Sequence, residues 1–187
     1  FGILYKFIIK YFKHFFLINV ENLDHSKINY YSKNLDEIFI NFNCDKGSVC
    51  YFGEQKIKSH NYSIFYEKYF KDYKNKKINL LELGSHEGKG LASFFYYFPE
   101  SKLIGANINP FQMRFKSKRM TELFVDVSSY RVLTSLSHYL KEEQDIIIDD
   151  ASHNLRDMLI TFSIFFQKLK SKGIYVIEDM NQFEVYK

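Results

Sequence analysis

The chain has 187 residues and a formal net charge of +4, with 46% apolar, 26% charged and 19% aromatic side chains. That length fits one domain with a packed core, and the apolar content excludes wholesale disorder. Cys44 and Cys50 are its only cysteines, which excludes a disulfide-stapled scaffold and a four-cysteine zinc site.

No apolar run reaches the roughly 20 residues needed to span a bilayer. The small net charge gives no ground for nucleic-acid binding. The charge is unevenly placed: residues 1–125 hold 19 basic and 12 acidic side chains, and residues 126–187 hold 7 and 10. The acids of the second part cluster at Asp149, Asp150, Glu178 and Asp179, each pair directly after an apolar run. A charge there is costly without a partner or a task.

Residues 3–20 read as an amphipathic helix, with Ile3, Leu4, Phe7, Ile8, Tyr11, Phe12, Phe15 and Phe16 on one side and Lys6, Lys10 and Lys13 on the other. Such a helix packs on its domain or a partner, or makes peripheral contact with a membrane surface. Lysines interrupt the apolar stretch and no small-residue cleavage site follows, which argues against a signal peptide and for a cytoplasmic protein. Residues 1–35 are read as an N-terminal helix and linker, and residues 36–187 as the main domain.

Residues 21–60 read as polar and irregular, with a turn at Asp45–Ser48. Residues 61–74 read as a helix that buries Ile64, Phe65, Tyr69 and Phe70. From residue 78 apolar runs alternate with helical stretches. Strands are expected at 78–83, 102–108, 122–127, 145–149 and 174–177. Helices are expected at 88–98, 111–119, 129–141 and 154–169, the last stopped by Lys172-Gly173. Apolar runs without polar alternation indicate strands covered on both faces. The expected fold is α/β, a Rossmann-like doubly wound, mostly parallel sheet.

Ligands bind such sheets at the carboxyl ends of the strands, so the residues after each strand carry the information. The first exit holds Glu82, Gly84, Ser85, His86, Gly88 and Gly90. Its glycine spacing differs from the dinucleotide fingerprint G-x-G-x-x-G. The second exit places Asn107 where a ribose-binding acid usually stands. The fourth exit reads Asp149-Asp150-Ala-Ser-His153, and the fifth supplies Glu178-Asp179. Adjacent Asp residues on an extended chain point to opposite sides, and His153 lies close enough to Asp150 to share a pocket. Carboxylates brought together repel unless a cation or proton intervenes, and oxygen ligands suit Mg²⁺. The bland alternative is that Asp150 or Ser152 caps the helix that follows.

Four segments, LLELGSHEGKG (80–90), LIGANINP (103–110), DIIIDDASH (145–153) and GIYVIED (173–179), resemble the class I S-adenosylmethionine-dependent methyltransferases. Within these the resemblance is to the metal-dependent sugar O-methyltransferases of the macrocin and mycinamicin type. DKGS (45–48) and HNYSIFYEKYF (60–70) resemble the segment that precedes the fold in that family. The resemblance implies S-adenosylmethionine and Mg²⁺ as cofactors and a hydroxyl of a small-molecule or glycan acceptor as the methyl acceptor, with the oligomeric state open. It implies that Glu82, Gly84, Ser85, His86 and Gly88 cradle the methionine part, that Asn107 meets the ribose, that Asp126 lies near the adenine and that Asp149 lies beside the cofactor. Asp150, Glu178 and Asp179 match metal ligands, and His153 matches the general base. His86 stands at the middle glycine of the usual loop and Asn107 at the usual acid. The family fold normally continues for two strands beyond the fifth, so a C-terminally incomplete domain is expected. Two other readings follow from the same residues. One is a methyltransferase-fold binding module without activity. The other is an NAD-dependent sugar oxidoreductase or epimerase, against which the loop spacing argues.

Overall fold

The computed structural model describes residues 20–25 and 33–180, so the helix expected over 3–20 falls outside the described residues but for its last position. In chain order the elements are β1 (Glu21–Asn22), α1 (Leu35–Asn41), β2 (Cys50–Phe52), β3 (Gln55–Ile57), α2 (Ser63–Phe70), β4 (Asn79–Leu83), α3 (Lys89–Tyr97), β5 (Lys102–Asn107), β6 (Phe115–Lys116), β7 (Met120–Phe124), α4 (Tyr130–Tyr139), β8 (Gln144–Asp149), α5 (Leu155–Phe165) and β9 (Leu169–Ile177).

Five strands form one parallel sheet in the order β7-β5-β4-β8-β9. The order reverses at β4, which lies between β5 and β8. A crevice opens at such a switch point, beyond the carboxyl ends of the strands.

Side chains alternate across the sheet. Leu80 of β4 and Ile146 and Ile148 of β8 join one core with α1, α2 and α3. Leu81, Leu83 and Ile147 join a second core with α4 and α5. The first core is built of rings: Phe94 meets Phe39 edge-on at 5.6 Å and Tyr66 stacks on Phe70 at 4.8 Å. The second is mostly aliphatic, with Leu133, Leu136, Leu140 and Phe165 at its centre.

Several expectations are corrected. Residues 21–60 are not irregular throughout. Asn34 caps α1, its Oδ1 accepting from the Glu37 N–H at 2.9 Å, and Asp36 and Glu37 suit the positive end of that helix. Gly53, at φ 61°, closes the antiparallel β2–β3 hairpin. The helix expected at 111–119 is absent. Its place is taken by a single 3₁₀ turn at Pro110–Gln112 and by β6, which pairs with β1. The helix expected to run to 169 ends at Phe165 with a 3₁₀ turn, and Lys172-Gly173 lies inside β9, where the pairing with β8 slips. α2 buries Tyr66 and Phe70, while Ile64, Phe65 and Tyr69 are exposed. Among the described residues no helix is long and apolar enough to cross a membrane.

Candidate functional site

The alternation that builds the two cores also sorts the acids. Glu82 follows Leu80 onto the face of the ring-rich core, and Glu178 follows Ile174 and Val176 onto the same face. Asp149 falls on the opposite face, with Ile147 and Tyr175. Asp149 and Asp150 therefore diverge, as their adjacency on an extended chain requires.

A cleft of about 500 Å³ opens where the strand order reverses, lined on one side by Gly84, His86, Asn107 and Asp126 and on the other by Asp150, His153 and Asp179. On the first side the chain leaves β4 through Gly84 at φ 87°, and a Cβ there would run into the backbone of Asp150. Gly88, at φ 80°, packs against the Met113 side chain, whose sulfur a Cβ there would meet. His86 adopts φ 44°, a left-handed conformation that glycine takes without strain, which fits its place at a glycine position. Asn107 turns its amide inward, donating to the Asn109 carbonyl at 3.1 Å and to Gln112 Oε1 at 3.3 Å. Asp126 accepts from the Ser128 backbone and hydroxyl at 3.0 and 2.6 Å. The buried Ser85 Oγ and Glu82 Oε2 have no protein partner. Open backbone at two glycines, with unpaired polar atoms beside it, fits an extended polar cofactor such as S-adenosylmethionine.

On the acidic side Asp150, His153 and Asp179 each bring one donor atom to within 4.8 Å of the others. His153 Nε2 lies 3.8 Å from Asp150 and 3.9 Å from Asp179, and its buried Nδ1 has no partner. His153 and Asp179 adopt φ of 54° and 52°. Left-handed backbone at non-glycine residues costs of order 1–3 kcal/mol and persists where the surroundings impose it. Two carboxylates and an imidazole at this spacing fit a divalent cation. The helix cap that would have explained the acids is supplied instead by Asn154, whose Oδ1 accepts from the Arg156 N–H at 3.0 Å.

Glu178 is 5% exposed and is held on the far side of Asp150 from His153, with Lys46 at 2.7 Å on one oxygen and the Tyr66 hydroxyl on the other. Lys46 also reaches Asp150 at 2.5 Å and Glu82 at 3.8 Å. Asp179 accepts from the Tyr62 hydroxyl and lies 3.1 Å from His60 Nδ1. Lys46, His60, Tyr62 and Tyr66 were given no role in the sequence reading. Their signal was modest: they lie in the two pre-fold segments, and Tyr62 and Tyr66 stand four apart, on one side of α2.

Burial perturbs the acids. It pushes Glu82 up to about 8 against the pull of the Lys46 ammonium. It pushes Asp149 up to about 7, opposed by the Ala151 backbone N–H and reinforced by Asp150. Glu178 is likewise raised by burial although Lys46 opposes it. Burial alone would lower Lys46, but Glu178, Asp150 and Glu82 outweigh it and hold the ammonium well above its ordinary value. Such clustering of shifted groups in a cleft marks a functional site more often than a structural one.

No protein-family model matches the chain. It is 27% identical over 135 residues to the 8-demethyl-8-alpha-L-rhamnosyl tetracenomycin-C 2'-O-methyltransferase of Streptomyces olivaceus, covering 68% of this chain and 35% of that protein. It is 27% identical over 128 residues to the demethylmacrocin O-methyltransferase of Streptomyces fradiae, covering 65% of this chain and 32% of that protein. The fold is similar to that of the MycE methyltransferase from the mycinamycin biosynthetic pathway in complex with Mg and SAH. The TM-score is 0.66 at 25% identity, over 80% of this chain and 38% of that one. The chain spans about a third of the length of these curated relatives. It has the class I methyltransferase fold, and its relatives by sequence are sugar O-methyltransferases.

Proposed function

We propose that this chain carries the catalytic core of an S-adenosylmethionine-dependent O-methyltransferase that acts on a hydroxyl of a sugar or glycosylated small molecule. The observation that carries the reading is the single cleft in which a glycine turn of the cofactor-binding type faces Asp150, His153 and Asp179. A MycE structure with Mg, SAH and mycinamycin VI, 25% identical and matching with a TM-score of 0.66, supports the same pairing of cofactor, cation and glycosylated acceptor.

Bound together, the cofactor supplies a methyl group on a sulfonium and a divalent cation supplies the charge that orients a sugar hydroxyl and lowers its pKa. Glu82, Gly84, Ser85, His86 and Gly88 would bind the methionine end, Asn107 and Asp126 would bind the ribose and adenine, and Asp149 would lie beside the cofactor. Asp150 and Asp179 would hold the cation, while Glu178, paired with Lys46 and Tyr66, stands outside that group of donors. His153 accepts the hydroxyl proton as the acceptor oxygen takes the methyl, a contribution of typically 10²–10⁴-fold.

The test is a methylation assay with S-adenosylmethionine, Mg²⁺ and a panel of glycosylated small molecules, paired with calorimetric titration of S-adenosylhomocysteine. His153→Ala should lower turnover about 10²–10⁴-fold while S-adenosylhomocysteine and Mn²⁺ still bind. Loss of Mn²⁺ binding in that variant would make His153 a ligand instead of the base. A wild-type chain that binds no S-adenosylhomocysteine would end the reading.

A further inference from the structure

Lys46 is a cation already inside the acidic cluster. It is 4% exposed. The backbone around it is pinned: the Lys46 carbonyl accepts from the Ser63 N–H at 2.9 Å, and the Gly47 carbonyl from the Asn61 N–H at 3.2 Å. The turn is thereby fixed to the start of α2, and only the side chain is left to move. Its ammonium sits 2.5 Å from Asp150 Oδ2 and 2.7 Å from Glu178 Oε2. Beside it lies a second cleft of about 260 Å³, lined by Lys46 and Asp150 themselves and by Glu82, Ser85 and Gly90. Glu82 Oε1 is 3.8 Å from the ammonium and Glu82 Oε2 is buried without a partner. The ammonium therefore has a place to go and a carboxylate to receive it there.

We propose that Lys46 is a resident cation that competes with the divalent ion for Asp150, and that it swings toward Glu82 when the ion binds. The inference rests on the proposed cation site. A positive charge beside a divalent ion opposes its binding, and the same charge neutralises the carboxylates while the ion is away. Lys46 thus lowers the affinity for the ion and stabilises the ion-free fold. Because Glu82 borders the glycine turn, the movement also links the cation half of the site to the cofactor half.

The experiment is Mn²⁺ titration of the full chain by calorimetry, with thermal melting with and without Mn²⁺. In Lys46→Met the ion-free protein should melt lower, and Mn²⁺ should bind at least tenfold tighter and raise the melting temperature more than in the wild type. Lys46→Arg, which keeps the charge, should behave as the wild type does. A loss of packing alone would lower melting with and without Mn²⁺ alike and would not tighten binding. A folded Lys46→Met with unchanged or weaker Mn²⁺ affinity overturns the proposal.

A second measurement needs no variant. Acetylation of the wild-type chain, read by peptide mass spectrometry, should find Lys46 protected without Mn²⁺ and labelled severalfold faster at saturation. Unchanged protection at saturation overturns the proposal even if Lys46→Met fails to fold. A wild type that binds S-adenosylhomocysteine but fails both tests keeps the methyltransferase reading and loses this one. A chain that binds neither S-adenosylhomocysteine nor Mn²⁺ loses both.

Discussion

On one face of the sheet, α1, α2 and α3 interlock Phe39, Tyr66, Phe70, Phe94 and Phe98 into a layer with no exposed ring among those five. On the other face, α4 and α5 bury Leu133, Leu136 and Phe165, yet Leu159, Phe162 and Phe166 of α5 and the turn after it stay exposed. The functional side chains follow the first face. Lys46, Tyr62 and Tyr66 reach the acids from the segment that closes that layer, whereas Asp149, on the second face, has a buried oxygen with no partner. The ring-rich layer is thus both a core and the scaffold that aims the site.

Substitutions can break this contrast. The largest effect is expected at the hinge between the faces. Gly84→Val places a branched side chain at φ 87° against the Asp150 backbone, so titration with S-adenosylhomocysteine should give no saturable heat. Phe94→Ala empties the centre of the ring-rich layer and should lower the unfolding free energy by about 3–5 kcal/mol in urea melts. Leu159→Ala, at a position 60% exposed on the other side, should change it by under about 1 kcal/mol; equal losses would mean that the two faces do not differ. The smallest effect is expected at the edge of the first layer. Asp36 accepts from the Ser48 backbone and hydroxyl at 2.7 and 2.6 Å. Burial raises its pKa, but the bonds from Ser48 outweigh it, so the folded value lies below 3.8. Its contribution is therefore present above 3.8 and lost as the pH falls through the folded value. Asp36→Asn should melt lower than the wild type at pH 7, by the equivalent of about 1 kcal/mol, with the gap closing in acid.

Much of the sheet was legible because buried parallel strands must read as apolar runs. The acids at their ends stood out because such residues are costly there. Period-two alternation also separated Asp149 from Asp150. The absent helix at 111–119 was illegible because β6 is set by pairing with β1, more than 90 residues away in sequence. Tertiary contact of that kind overrides local propensity. The roles of Lys46, His60, Tyr62 and Tyr66 were hidden for the same reason. Nothing near Lys46 in sequence indicates that its partners are Asp150 and Glu178, and the spacing of Tyr62 and Tyr66 marks a helix face without saying what lies opposite.

The most direct test of the central claim is a crystal structure of the chain with S-adenosylhomocysteine and Mn²⁺, with anomalous diffraction used to locate the metal. The account predicts one Mn²⁺ peak in contact with Asp150 and Asp179, and the nucleoside running past Gly84 toward Asn107 and Asp126. A peak elsewhere, or a cofactor bound away from the Gly84 turn, would contradict it.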